Sequence, residues 1–237
     1  MPYRRTENVA RRLAARRDAI VVAAGDVAAE GGMAAVQIAP VATRAGIAAG
    51  TVYRYFPAKT DLIAALVATL SARELAALED AAKAAPGPLS ALAAAITSFA
   101  ARALAGRRLA FALIAEPVEP EIDAARAPYR QALVDEFGKL IRNAQAGGRL
   151  PDQDVALAAA ALVGALIEGL IGPLAPAAPE EPAKTRMRVQ ALALFALRGL
   201  GVVDARARGL VVQAVLPVSS VVRPRRALGK QHGRDAE

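Results

Sequence analysis

An all-α fold is what this sequence predicts, and three observations predict it. Alanine, the strongest helix former, dominates an apolar fraction of 55%. Aromatic residues make up only 4%, with no Trp and no Cys, which argues against a sheet sandwich built on ring and β-branched side chains. Apolar residues recur at three- and four-residue steps through most of the 237 positions, the period of a helix face.

Residues 1 to 7 carry Arg4 and Arg5 ahead of any apolar periodicity and read as a flexible basic arm. From about Asn8, the positions Val9, Leu13, Ile20, Ala24 and Val27 fall on one helical face, which Gly31-Gly32 ends. Two short helices follow, at about 38 to 45 and 49 to 55, split by Gly46-Ile47-Ala48. Pro40 falls in the opening turn of the first, where its missing N–H costs nothing. A longer helix runs from Lys59 or Thr60 to about Ala84, with Leu62, Ile63, Leu66, Leu70, Leu75 and Leu78 as its stripe, and stops at Pro86-Gly87-Pro88. Further helices are predicted at 89 to 105, 107 to 115, 121 to 146 and 152 to 171, with Pro128 expected to kink the third of these. The proline-rich run 173 to 182 is a linker before a last helix at about 184 to 199, and 204 to 237 is expected to be mostly disordered.

Composition narrows the chemistry. Without cysteine there is no disulfide framework and no thiolate, and one histidine, His232, has no usual partner for a zinc site or a nucleophile pair. Neither metal nor cofactor is expected. An enzyme working through carboxylates is disfavoured too, because the acids do not pair at helical spacing within an apolar pattern. The acidic run Glu116, Glu119, Glu121 and Asp123 sits among prolines and reads as a solvated loop. The N-terminal arginines are not followed by an apolar run of export-signal type, so a cytoplasmic location is expected. The net charge of +8 is concentrated at the ends: residues 1 to 60 hold nine Lys and Arg against four Asp and Glu, and 201 to 237 hold seven against three.

The basic N-terminal segment contains QIAPVATRAGIAAGTVYRYFPAKTDL, a short helix, a glycine turn and a second short helix, which is the helix-turn-helix pattern. Ala42 and Ala45 let the helices approach, Val41, Ile47, Val52 and Phe56 supply contacts, and Gly46 permits the turn. Tyr55 and Phe56 read as core. A recognition helix enters the major groove N-terminus first, which places Ala48, Ala49, Gly50 and Thr51 nearest the base edges. Tyr53 can donate its hydroxyl to a phosphate, and Lys59 adds charge at the start of the next helix.

Ala45-Gly46-Ile47, then Gly50-Thr51-Val52-Tyr53-Arg54-Tyr55-Phe56, then Lys59 and Leu62 resemble the signature of the TetR/AcrR family of bacterial transcriptional regulators over about residues 10 to 65. The resemblance implies DNA contacts from Thr51, Tyr53 and Lys59. This chain departs from the family at Gln37 and Ile38, where Ser or Thr is frequent, and at Ala48 and Ala49 in place of polar residues. Sequence readout then rests on Gln37, Thr43, Arg44, Thr51 and Arg54, on alanine contacts to thymine methyl groups, or on DNA shape. Arg11, Arg12, Arg16 and Arg17 divide between DNA-facing and solvated side chains.

The resemblance also implies a TetR-like layout of about nine helices. Residues 1 to 60 form a basic arm and DNA-binding domain, 61 to 200 a helical regulatory and dimerisation domain, and 201 to 237 a basic tail. The implied partners are a palindromic double-stranded operator, a second copy of the chain and a small apolar effector, with no membrane. The helix at 155 to 171 is apolar almost all round, yet too short for a span and interrupted by Glu168. Its Ala160 and Gly164, with Leu192 and Phe195 of the last helix, are the expected dimer interface. Ile96, Phe99, Phe111, Ile114, Phe137 and Ile141 are candidate pocket residues or plain core, with Glu168 either orienting a polar group of a ligand or sitting at the dimer edge with Arg198. The function expected is a repressor released by its effector. The alternative is a helical oligomerisation module with little sequence-specific DNA binding.

Overall fold

The computed structural model describes residues 3–179 and 181–214, with side chains from Asn8 onward. Those residues form ten α-helices and one 3-10 turn, the expected all-α class. The first helix, α1 (Tyr3–Gly31), begins at Tyr3 and not near Asn8, so the stretch expected as a flexible arm is helical from that point. No Gly or Pro follows Pro2 for twenty or so residues, and Arg and Ala propagate a helix well. The side chains of Arg4 and Arg5 lie outside the described set.

At Gly31-Gly32 the chain turns through a 3-10 segment, Met33–Ala35, into α2 (Ile38–Ala45) and α3 (Ala49–Tyr55). Gly46 ends α2 at φ +67, with its N–H on the Thr43 carbonyl and that of Ile47 on the Ala42 carbonyl, a pair of bonds that needs a left-handed residue between. Ile20, Ala24, Val27, Val36, Val41, Val52, Phe56 and Leu62 close a small core beneath this unit. Pro40 sits in the opening turn of α2, as expected.

The body consists of α4 (Lys59–Lys83), α5 (Pro88–Ala105), α6 (Arg107–Ile114), α7 (Pro120–Ala146), α8 (Val155–Leu170), α9 (Pro182–Gly199) and α10 (Asp204–Gln213). Prolines at the first position of α5, α7 and α9 set the helical φ where no N–H was needed. Asp154 caps α8 through the amides of Ala156 and Leu157, which moves its start to Val155 from the predicted 152. Helix α7 continues through Pro128. Central to the body is α5, which touches α4, α7, α8, α9 and α10 and buries most of its surface. Long and apolar enough by composition to cross a membrane, α5 is instead largely covered by the other helices.

Helix α10 corrects the expectation of disorder after Gly201. It folds because Ala207, Leu210 and Val211 bury against α9 and α5, and because Asp204 accepts from Arg198 and Arg208. The rest of the expected tail, from Val215 on and including His232, lies outside the described residues. Helix α1 joins the two halves, packing on α2 and α4 at one end of the molecule and on α6 of the body.

Candidate nucleic-acid interface

Ala48, Ala49 and Gly50 are exposed at the head of α3, and a Cβ built on Gly50 meets nothing within 4 Å. Val52 and Phe56 anchor the helix inward, with Tyr55 half-buried, as its reading as core required. Thr51 is half-buried, while Tyr53, 52% exposed, and Arg54 project from the outer face. Ala48, Ala49, Gly50, Tyr53 and Arg54 therefore make up the exposed head and outer side of one short helix, with Thr51 at the edge of its buried side.

The remaining candidates have partners within the chain. Gln37 is exposed, but its side-chain amide donates to the Ala34 carbonyl at 3.1 Å. Thr43 turns its hydroxyl back to the Ala39 carbonyl at 3.0 Å. Arg44 ties α2 to α1: it donates to Glu30 at 2.5 Å and lies 4.0 Å from Asp26. The hydrogen bond from Arg44 holds the Glu30 carboxyl below the usual carboxylate range. Lys59, at the first turn of α4, has its Nζ 3.7 Å from Glu119 of the body, an exposed and easily exchanged pair. The turn itself is braced by Asp61, which accepts the Ala58 N–H at 3.0 Å.

Along α1, every residue from Asn8 to Ala19 is exposed, including Val9, Leu13, Arg11, Arg12 and Arg16. The helix thus projects past the small core it serves. Arg17 lies 5.0 Å over the Phe56 ring, a cation–π contact that fixes the end of α3 against α1. The sequence left Arg17 divided between solvent and DNA and did not foresee this stacking role.

The acidic run expected to be a solvated loop is instead bonded across the molecule. Glu116 accepts the Met33 N–H at 2.7 Å, immediately after the glycine pair that ends α1. Arg126, 2% exposed, donates to the carbonyls of Ala112 at 3.0 Å and Glu116 at 2.7 Å, and to Asp123 at 3.0 Å. Asp123 also accepts from Arg130, and the two arginines hold its carboxyl below the ordinary range, Arg130 most strongly. An opening of about 470 Å³ lies here, lined by Glu116, Pro117, Asp123, Arg126 and Arg130 among others. The signal that could have found this joint was the coincidence of an acidic run with an unpaired amide after Gly31-Gly32.

Of the candidate pocket residues, Ile96, Phe137 and Ile141 are wholly buried and Ile114 nearly so. Phe99 meets Phe137 edge to face with centroids 6.5 Å apart. These side chains are packed core. Phe111 differs: with Arg107, Arg108, Ile171, Gly172 and Pro173 it lines a surface opening of about 340 Å³. Glu168 accepts the Leu174 N–H at 2.7 Å and so closes the loop after α8, while within one copy Arg198 pairs with Asp204. Ala160 and Gly164 are exposed on α8, Phe195 is 62% exposed on α9, and Leu192 is half-buried against Gly169.

Residues 20–66 match the family model described as bacterial regulatory proteins, tetR family. The chain is 42% identical over 72 residues to the HTH-type transcriptional repressor KstR of Rhodococcus jostii, a match spanning 30% of this chain and 32% of that repressor. In fold it is similar to RolR crystallised with resorcinol, at 23% identity and a TM-score of 0.61 over 88% of this chain and 98% of that one. It is also similar to FadR of Bacillus subtilis crystallised with stearoyl-CoA, at 23% identity and a TM-score of 0.58 over 83% and 98%. The tetR-family match thus falls on the segment that holds α2 and α3, and the chain as a whole has the fold of these solved proteins.

Proposed function

We propose that this protein is a homodimeric DNA-binding transcriptional repressor whose hold on a palindromic operator is relieved by a small-molecule effector. The observation that carries the reading is the bare outer strip of α3: small residues at its head, with Tyr53 and Arg54 projecting beside them. Alanine methyls and a glycine backbone approach the groove floor closely, and the flanking phenol and guanidinium take phosphates. Lys59 exchanges Glu119 for a phosphate on binding, and the arginines of the projecting half of α1 extend the positive surface toward flanking duplex.

The dimer is supported by an apolar face left open on α8 and α9, where Leu157, Met187 and Phe195 are each more than 60% exposed beside Ala160 and Gly164. A two-fold pair sets recognition helices about 34 Å apart, one turn of duplex. The effector reading draws on the ligands named for the solved relatives and on the arginine-rimmed, Phe111-lined opening, which suits an apolar molecule with an anionic end. Releasing DNA almost completely requires the effector to prefer one state by about 5 kcal/mol.

A mobility-shift titration of duplex from beside the protein's own coding region, at several salt concentrations, tests the DNA reading. Lys59→Ala is expected to weaken binding to all sequences and lower the salt slope by about one, and Tyr53→Phe to weaken binding without changing the slope. Thr51→Ala is expected to change which sites a random library yields more than it changes affinity. An unchanged salt slope in Lys59→Ala would remove Lys59 from the interface. The rival reading, an oligomerisation module, draws on Ala48 and Ala49 offering no polar group; salt-independent or absent duplex binding would establish it.

A further inference from the structure

The helix pair α2–α3 is bracketed by Met33 before it and Lys59 after it, and one short connection, Glu116–Glu119 between α6 and α7, reaches both. Glu116 accepts the Met33 N–H at 2.7 Å, and Glu119 lies 3.7 Å from Lys59 Nζ. The first contact is tight and built. The Met33 amide opens a 3-10 turn that no local side chain caps, so a carboxylate from 83 residues away fills the role of an N-cap. Gly32 makes room for it: a Cβ there would sit 2.5 Å from a Glu116 oxygen, and its backbone at φ +80 suits glycine independently.

Glu116 is itself held. Arg126, buried on α7, spreads its guanidinium over the Ala112 and Glu116 carbonyls, which fixes the C-terminal end of α6 as a rigid stub. Burial disfavours a charge there, and three acceptors compensate it, with Asp123 tying the same group to Arg130.

We propose that Glu116, held by Arg126, is the positioning residue that fixes the angle of the recognition helix pair on the body, and so the spacing of two recognition helices in a dimer. This rests on the DNA-binding dimer proposed above. The chain of contact runs from α7 through the end of α6 to the joint between α1 and α2, and its own members, Arg126, Glu116 and Met33, include none of the residues assigned to DNA; Glu119, beside Lys59, is not one of them. Loss of the Glu116 bond frees the pair to swing. A single half-site still meets an intact α3, whereas two half-sites on one duplex demand a fixed separation.

The test uses full-length protein and duplexes selected from a random library by the unaltered chain, each made with both half-sites and with one. Glu116→Ala is expected to speed hydrogen exchange at the Met33 amide and weaken two-site binding about tenfold, with one-site binding within about twofold. Glu116→Gln retains an acceptor oxygen and is expected to restore both to near the unaltered values. Arg126→Lys loses the two-pronged grip on the carbonyls and is expected to resemble Glu116→Ala. Unchanged Met33 exchange in Glu116→Ala, equal losses on one-site and two-site duplexes, or no rescue by Glu116→Gln would each overturn the proposal. Failure of the unaltered chain to select any duplex would overturn the DNA reading alone, and Met33 exchange would still decide whether the bond forms.

Discussion

Gly32 and Gly46 both hold positive φ, +80 and +67, yet their surroundings differ. Nothing lies within 4 Å of a Cβ on Gly46, so Gly46→Ala is expected to cost only the strain of a left-handed residue, about 1 kcal/mol in urea unfolding. Gly32→Ala adds a collision with the Glu116 carboxylate and is expected to cost about 2 to 3 kcal/mol. In a Glu116→Ala background the collision part of that cost should vanish, leaving a remainder above that of Gly46→Ala, because Gly32 at φ +80 and ψ −178 lies where essentially only glycine goes, whereas Gly46 at φ +67 and ψ +35 is left-handed helical. Persistence of the full cost there would place the strain in the backbone alone. Tyr129, 3% exposed, shows a second residue-scale effect: burial, reinforced by the nearby Glu74 charge, raises its phenol well above the ordinary value of about 10. The folded-state value exceeds the unfolded one, so this contribution to stability is complete below about pH 10 and is lost as pH rises toward the raised value. Tyrosinate absorbance attributable to Tyr129, read as the difference from Tyr129→Phe, is expected only together with alkaline unfolding. Its appearance in folded protein near pH 10 would contradict the burial.

Elements are tied to one another by a few polar contacts set in an alanine-rich apolar core. Arg102 of α5 donates to both oxygens of Glu74 of α4 at 2.7 and 2.6 Å, each side chain less than a third exposed. This two-pronged bond raises the Arg102 value further and pins α4 against the central helix. Glu74→Gln is expected to lower unfolding free energy by about 2 kcal/mol, against a few tenths for Glu79→Gln, whose partner Lys83 is exposed on the same helix. Equal losses in chemical denaturation would show that the cross-helix tie adds nothing special. Alanine packs helices closely but supplies little shape of its own, so such ties decide which face of α4 meets α5.

For the whole molecule, the open apolar face of α8 and α9 is the feature a lone copy leaves unexplained. Phe195→Arg, and separately Leu157→Arg, are expected to halve the mass seen in sedimentation velocity while leaving helical circular dichroism unchanged, because both side chains already face solvent in one copy. A mass unaffected by either substitution, whether of one copy or of two, would remove this face from the proposed dimer. Weak duplex binding by such variants is expected to follow, since each copy then carries one recognition helix.

Most helix positions, the glycine turn at Gly46 and the small-residue head of α3 were legible in the amino-acid order because each depends on neighbours within a few residues: periodicity, a breaker, a short signature. The same locality explains the misses. Helix α10 forms because Ala207, Leu210 and Val211 find α5 and α9, partners that no local pattern announces. Arg44 and Lys59 read as free cations until the fold set Glu30 and Glu119 beside them. The acidic run after α6 read as solvated loop because its partners, Met33, Lys59 and Arg126, come from elements distant in the chain or not yet placed in space. Local sequence thus determined most of the helices and the short helix-turn-helix segment among them. Only tertiary packing decided which charges are already paired and how the helix pair is held, because those depend on contacts between residues tens of positions apart.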